Sequence, residues 1–102
     1  MEKKTMKIDE LYQIIADRKA APQEGSYTNY LFDKGEDKIL KKVGEEAMEV
    51  LLAAKGEGDQ RLIEEVSDLT YHLLVLLVSR GITPADIGAE LEKRHQPRPS
   101  QA

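Results

Sequence analysis

The stretch from residue 59 to residue 80 constrains the fold more than any other part of the sequence. Its apolar spacing predicts a helix of about six turns. At about 100° per residue its apolar side chains cover an arc of about 200°, whereas a surface helix needs little more than 100°. Those side chains are Leu62, Ile63, Val66, Leu69, Leu73, Leu74, Leu76, Leu77 and Val78. Such a helix packs on two sides, so we expect it to contact either a second copy of the chain or a crowded core within the monomer.

Three further segments are predicted to be helical, and no stretch alternates as a strand does. The first runs from about residue 6 to residue 19 and stops before Pro22, because the residue before a proline is displaced from the α region. The second covers about residues 36–55. The last begins with a threonine cap and a proline at Thr83-Pro84 and ends near His95.

The connections between these segments set their arrangement. Residues 22–35 are polar and bracketed by glycine, which predicts a loop, and long loops in small domains are often functional. The short turn at residues 56–58 makes the second and third helices antiparallel neighbours. Asp59 is expected to cap the third helix and Gly81 to end it. The sequence therefore predicts an all-α fold of the four-helix-bundle type, completed by homodimerisation.

Length and composition indicate one domain, residues 1–95, with a disordered tail at residues 96–102, since 102 residues bury a modest core. The net charge of −4 argues against nucleic-acid binding, because nucleic-acid binders usually carry a basic excess. There is no cysteine, so neither disulfides nor thiol chemistry hold the fold. No secretory signal is visible, and residues 69–78 are too few to span a membrane, which predicts a cytoplasmic protein.

Two pairs of acidic residues on consecutive helices carry the chemical argument. Glu46 and Glu49 lie on the second helix, and Glu65 and Asp68 lie on the third. Residues three apart share a helix face, and each pair borders an apolar stripe. On the second helix that stripe consists of Ile39, Val43, Ala47, Val50 and Ala54. We therefore expect the two pairs to face each other at the rim of the core.

Four converging carboxylates repel one another, and a divalent cation removes that repulsion. An all-oxygen ligand set favours Mg²⁺, with Mn²⁺ as a substitute, over zinc. Because Mg²⁺ usually keeps waters and accepts phosphate oxygens, the substrate is expected to be a phosphate ester or anhydride. Acidic runs on helices are usually solvated, and the spacing of Glu45 and Glu49 alone would fit that interpretation. The repetition on the next helix favours a metal site.

Other polar side chains near the acids have two interpretations each. Lys38 and Lys42 either bind substrate phosphates or form ordinary ion pairs along their helix. His72 orients a carboxylate, touches substrate, or is a hydrogen-bonded structural histidine. Ser26 and Thr28 belong to a hydroxyl-rich stretch that turn chemistry alone can explain.

The acidic pattern, Glu-Glu-x-x-Glu at residues 45–49 and Glu-x-x-Asp at residues 65–68, resembles that of the MazG-like all-α nucleotide pyrophosphohydrolases. Three stretches are similar to the phosphoribosyl-ATP pyrophosphatases among them: GSYT at 25–28, KKVGEEA at 41–47 and EVSDLTYHLLV at 65–75. The likeness covers about residues 6–95, nearly the whole chain.

The resemblance implies a homodimeric enzyme that hydrolyses phosphoribosyl-ATP to phosphoribosyl-AMP and pyrophosphate, the second step of histidine biosynthesis. It implies Mg²⁺ held by four carboxylates, those of Glu46, Glu49, Glu65 and Asp68. It also implies substrate contacts at Ser26, Thr28 and Lys42. We expect water to attack the α–β phosphoanhydride, with Glu45 or Glu49 positioning the water or taking its proton.

Two other functions fit the same residues. A house-cleaning pyrophosphatase for dUTP or other abnormal nucleotides shares the acidic motif. A non-catalytic helical module could dimerise and bind metal only for structure. A ferritin-like di-iron site is disfavoured, because the sequence lacks the two Glu-x-x-His pairs that such a site needs.

Overall fold

The computed structural model describes residues 3–96, which contain five α-helices and no strand. The helices are α1 (Ile8–Ala20), α2 (Tyr27–Lys34), α3 (Glu36–Gly56), α4 (Asp59–Arg80) and α5 (Pro84–His95). The predicted all-α class is confirmed. The predicted disordered tail lies outside the described residues, except for Gln96.

The extra helix is α2, and the prediction of a loop over residues 22–35 is wrong. The hydroxyl of Ser26 accepts a hydrogen bond from the backbone N–H of Asn29 at 3.2 Å and so caps α2. Gly25 and Gly35 have φ angles of 81° and 95°, which let the chain turn sharply on either side of this short helix. Leu31 anchors α2 in the core and is completely buried.

The side chain of Asn29 fixes α2 against the end of α1. Its amide group donates a hydrogen bond to the carbonyl oxygen of Arg18 at 2.7 Å and accepts one from the backbone N–H of Gln23 at 2.9 Å. Asn29 is itself buried, so these bonds satisfy polar atoms that water does not reach. This link holds α2, and with it Tyr27, in a fixed position beside α4.

The helix caps predicted from the sequence can be compared with the structure at both ends of α4 and at the start of α5. Gly58, with φ 87°, occupies the N-cap of α4 and makes no side-chain bond, so the cap predicted at Asp59 is wrong; Asp59 is the first helical residue. Gly81 ends α4 in the left-handed conformation, as predicted. At α5, Thr83 caps the helix as predicted, and it exchanges hydrogen bonds of 2.9 and 3.1 Å with Asp86 in a capping box.

The core lies between the paired helices α3 and α4 and the shorter α1 and α2. Its buried residues are Ile15, Leu31, Ile39, Leu74, Val75 and Val78. The predicted core stripe of α3 is partly wrong, because Ala47 and Ala54 are exposed while Ala53 is buried. Relative to that prediction, α3 is rotated about its axis, which turns Glu46 and Glu49 partly inwards towards α4.

Several large apolar side chains of α3, α4 and α5 remain exposed. They are Leu40, Met48, Leu51 and Leu52 of α3, Ile63, Val66 and Leu73 of α4, and Ile87 and Leu91 of α5. Only one side of α4 is therefore covered within residues 3–96. In this same part of the chain, no helix combines the length and the apolar character that a membrane span requires.

Candidate functional site

Three carboxylates from two helices converge at the rim of the core. Glu46 of α3 and Glu65 and Asp68 of α4 each offer an oxygen atom within 4.8 Å of the others. An ion about 2.1 Å from three oxygens spans oxygens up to about 4.2 Å apart, so small side-chain rotations suffice for a divalent cation. The cluster matches the predicted pairing of the two helices, and its all-oxygen donors fit Mg²⁺ or Mn²⁺.

Glu65 is the most deeply placed member of this cluster, with only 3% of its surface exposed. Burial raises the pKa of its carboxyl group, and repulsion from Asp68, Glu46 and Glu49 raises it further, while Arg61 opposes the shift. A carboxylate is costly in such surroundings unless a cation neutralises it. Arg61 offsets part of this cost, and the part that remains is the physical argument that the cluster can hold a metal ion.

The cluster opens into a polar cavity of about 480 Å³. The cavity is lined by Lys42, Glu45, Glu46, Glu49, Arg61, Glu65 and Asp68. It therefore brings together every carboxylate that the sequence singled out, together with Lys42. Glu49 lines the same cavity but stands outside the group of oxygens within 4.8 Å of one another.

Two cationic side chains enter the cavity, one from each helix. The Nζ atom of Lys42 lies 3.6 Å from Glu45 and 3.5 Å from Glu46. Across the cavity, the Nη2 atom of Arg61 lies 2.8 Å from the carboxylate of Glu65. Sequence reasoning missed Arg61, although its spacing of four residues from Glu65 was the signal that could have found it.

His72 connects the cluster to α2. Its Nδ1 atom lies 2.8 Å from the backbone carbonyl oxygen of Asp68, which can only accept a hydrogen bond, so Nδ1 carries the proton. Its Nε2 atom therefore accepts a bond from the Tyr27 hydroxyl at 3.0 Å. Burial raises the pKa of Tyr27, which keeps that hydroxyl protonated. His72 is buried and does not line the acidic cavity. It is therefore placed to position its neighbours rather than to contact substrate.

The remaining predicted substrate contacts lie away from the acidic cavity. The hydroxyl of Thr28 is hydrogen-bonded to that of Tyr71, and the Nζ atom of Lys38 lies 6.0 Å from the ring centroid of Tyr30. Ser26, besides capping α2, lines a second open cavity of about 630 Å³. The rings of Tyr27 and Tyr30 also line this second cavity and stack on each other with their centroids 6.0 Å apart.

The sequence is similar to those of known proteins. The family model described as phosphoribosyl-ATP pyrophosphohydrolase matches residues 8–95. A phosphoribosyl-ATP pyrophosphatase of Listeria monocytogenes serotype 4b is 64% identical over 87 residues, which cover 85% of this chain and 84% of that protein. One of Clostridium botulinum is 61% identical over 89 residues, covering 87% of this chain and 81% of that protein.

Proposed function

Because the chain belongs to the phosphoribosyl-ATP pyrophosphohydrolase family, we propose that phosphoribosyl-ATP is hydrolysed in its acidic cavity. The products are phosphoribosyl-AMP and pyrophosphate, and the reaction is a step of histidine biosynthesis. The observation that carries this placement is the convergence of Glu46, Glu65 and Asp68 within 4.8 Å, at the rim of an open polar cavity. Carboxylates that converge in this way can hold a divalent cation, which assists the hydrolysis of a phosphoanhydride.

The proposed metal ligands are Glu46, Glu65 and Asp68, which together present oxygens from both long helices. When bound, Mg²⁺ or Mn²⁺ supplies charge neutralisation for the phosphates and polarises the attacking water. The role of Glu49 as a further ligand remains a prediction. Its position beside the three-oxygen cluster fits equally a carboxylate that faces the water rather than the metal.

Glu49 is our proposed general base. Glu45 has a cationic neighbour, since Lys42 lies 3.6 Å away, and 51% of its side chain is exposed. Glu49 lines the cavity and has no ion-pair partner among residues 3–96. Water attacks a phosphorus atom of the α–β anhydride and gives its proton to Glu49, while the anhydride bond breaks and pyrophosphate leaves.

We propose roles for the other predicted substrate contacts from their positions relative to the acidic cavity. Lys42 is proposed to bind phosphate oxygens as a point charge from α3. Ser26, Thr28 and Lys38 belong to the neighbouring surface around α2, where the rest of the nucleotide would extend. His72 acts through the Tyr27 hydroxyl and the backbone of Asp68, and so positions the site.

The experiment that tests the function is pyrophosphate release from phosphoribosyl-ATP, with Mg²⁺ and with a chelator, beside a panel of nucleoside triphosphates including dUTP. We expect strong release from phosphoribosyl-ATP, lost on chelation, and little from the panel. Preference for dUTP would assign the same site to a house-cleaning reaction. A folded protein that is silent across the panel would contradict hydrolysis altogether.

We also propose that the enzyme is a homodimer. Leu40, Ala47, Leu51 and Ala54 share one exposed face of α3, and Ile63, Val66 and Leu73 share one face of α4. Contiguous apolar surface of this kind is typical of a protein interface. A second copy packed on these faces would cover the open side of α4 and complete a four-helix bundle.

Replacing Leu51 or Ile63 with arginine is expected to convert the dimer to a monomer. These side chains are 60% and 58% exposed, so the change places a charge in the proposed interface without disturbing the core. Light scattering after gel filtration should give twice the 11.5 kDa chain mass for the wild type and that mass for the variants. Lys93→Glu, on the polar side of α5, is the control. A monomeric wild type would contradict the proposal.

A further inference from the structure

Arg61 lines the acidic cavity but has no role in the reaction described above. Its guanidinium group contacts three carboxylates: Glu65 at 2.8 Å, Glu64 at 3.0 Å and Glu57 at 3.8 Å. Glu65 is nearly buried, whereas Glu64 and Glu57 are about half exposed on the surface of α4 and of the preceding turn. One end of the Arg61 side chain therefore reaches into the acidic cluster while the rest remains in solvent.

The ion pair from Arg61 to one oxygen of Glu65 would compete with a metal ion bound at the same carboxylate. A divalent ion at Glu65 would lie within a few ångströms of the guanidinium charge, and two cations so close repel strongly. Arg61 has other acceptors on its exposed side, so its side chain can leave Glu65 without losing all of its ion pairs. The structure thus holds Arg61 where a metal ion would displace it.

The charges in the cavity indicate where the displaced guanidinium goes. Five carboxylates and two cationic side chains line the cavity, which leaves a net charge of −3. One divalent ion reduces that charge only to −1, while the arriving pyrophosphate group is itself an anion. A cationic side chain that turns from the carboxylates towards the phosphates would reduce the repulsion between the phosphates and the cavity. The planar fork of an arginine suits phosphate oxygens better than a lysine does.

We propose that Arg61 is the counter-ion of Glu65 before the metal binds and a phosphate-binding residue afterwards. It binds the leaving pyrophosphate group from α4, opposite Lys42 on α3. The inference rests on the proposed function for the identity of the phosphate group. Its first half, the exchange of Arg61 for a metal ion, depends only on the geometry around Glu65.

Arg61→Ala separates the two halves of this role. Its side chain is about half exposed and alanine favours the helix, so the variant should fold. Titrated with Mn²⁺ in a calorimeter without nucleotide, it should bind the ion about three- to tenfold more tightly than the wild type, since no guanidinium has to be displaced. Arg94→Ala removes a comparable pair with Glu90, at 3.0 Å on α5 outside the cavity, and should leave Mn²⁺ affinity unchanged.

The second half is tested with inorganic pyrophosphate in saturating Mg²⁺. Arg61→Ala should bind it about tenfold more weakly, and Arg61→Lys should recover only part of the loss because lysine lacks the bidentate fork. Mn²⁺ affinity that is unchanged or weakened in Arg61→Ala would overturn the counter-ion role. Unchanged pyrophosphate affinity would overturn the phosphate role. If the wild type fails to hydrolyse phosphoribosyl-ATP, the proposed function falls, but the Mn²⁺ titration still decides the first half.

Discussion

Replacing Glu65 with glutamine is expected to abolish Mg²⁺-dependent turnover and, at the same time, to stabilise the metal-free protein. Turnover should fall by about 10³-fold or more, because a central metal ligand is lost. Stability should rise because glutamine has nearly the same shape but no charge to bury beside Asp68 and Glu46. Both effects have one cause, the ionised carboxylate of Glu65. The metal ion requires this charge, whereas its burial destabilises the metal-free protein.

The pH dependence of this stabilisation follows from the raised pKa of Glu65. A carboxyl group whose pKa is higher in the folded than in the unfolded chain favours folding while it is protonated, and that contribution is lost as pH rises from the unfolded towards the folded pKa. The advantage of Glu65→Gln should therefore be small in acid, grow as pH rises through that interval, and level off above it.

Thermal unfolding with and without Mg²⁺ measures the stabilisation and the loss of metal binding, and pyrophosphate release from phosphoribosyl-ATP measures the loss of turnover. The melting temperature of the wild type should rise on adding Mg²⁺, whereas that of Glu65→Gln should start higher and not respond. Glu64→Gln is the matched control, since this neighbour also pairs with Arg61 but is exposed and does not line the cavity. It should keep both the Mg²⁺ response and the turnover. A Glu65→Gln protein that still responds to Mg²⁺ would remove Glu65 from the ligand set.

The long helices could be predicted from sequence because their determinants are local. The glycine at position 81 and the Thr83-Pro84 start fix the end of α4 and the beginning of α5 through backbone geometry alone. The eight residues of α2 are too few to show a clear helical period, although Ser26 caps them. What holds α2 is tertiary, namely the buried Leu31 and the two bonds from Asn29 to α1 and to the connection after it.

The acidic cluster could be predicted, but its orientation could not. Spacing alone places Glu46 and Glu49 on one face of α3, and Glu65 and Asp68 on one face of α4. The sequence did not determine which face of α3 packs against α4, because the apolar residues from Ile39 to Leu51 are spread around the helix. The spacing of Arg61 and Glu65 predicts an ion pair along α4, but the burial of Glu65 depends on how α4 is turned and could not be predicted.

A replacement of Glu49 with glutamine is expected to reduce kcat by about 10²- to 10⁴-fold, the range for losing a general base. Glu49 lies in the cavity beside the oxygens of the metal cluster but outside their 4.8 Å grouping, so Mn²⁺ affinity should stay within about threefold of the wild type.

The matched variant for this test is Glu45→Gln, which removes a carboxylate from the same cavity. Glu45 is half exposed and has Lys42 3.6 Å away, so this change should lower kcat by less than about tenfold. Steady-state kinetics and Mn²⁺ titration of the two variants together assign the roles. A collapse of kcat in Glu45→Gln alone would move the base to Glu45. A loss of Mn²⁺ affinity in Glu49→Gln would instead make Glu49 the fourth metal ligand that the sequence predicts. A base that contacts only the water should not change the affinity for the ion.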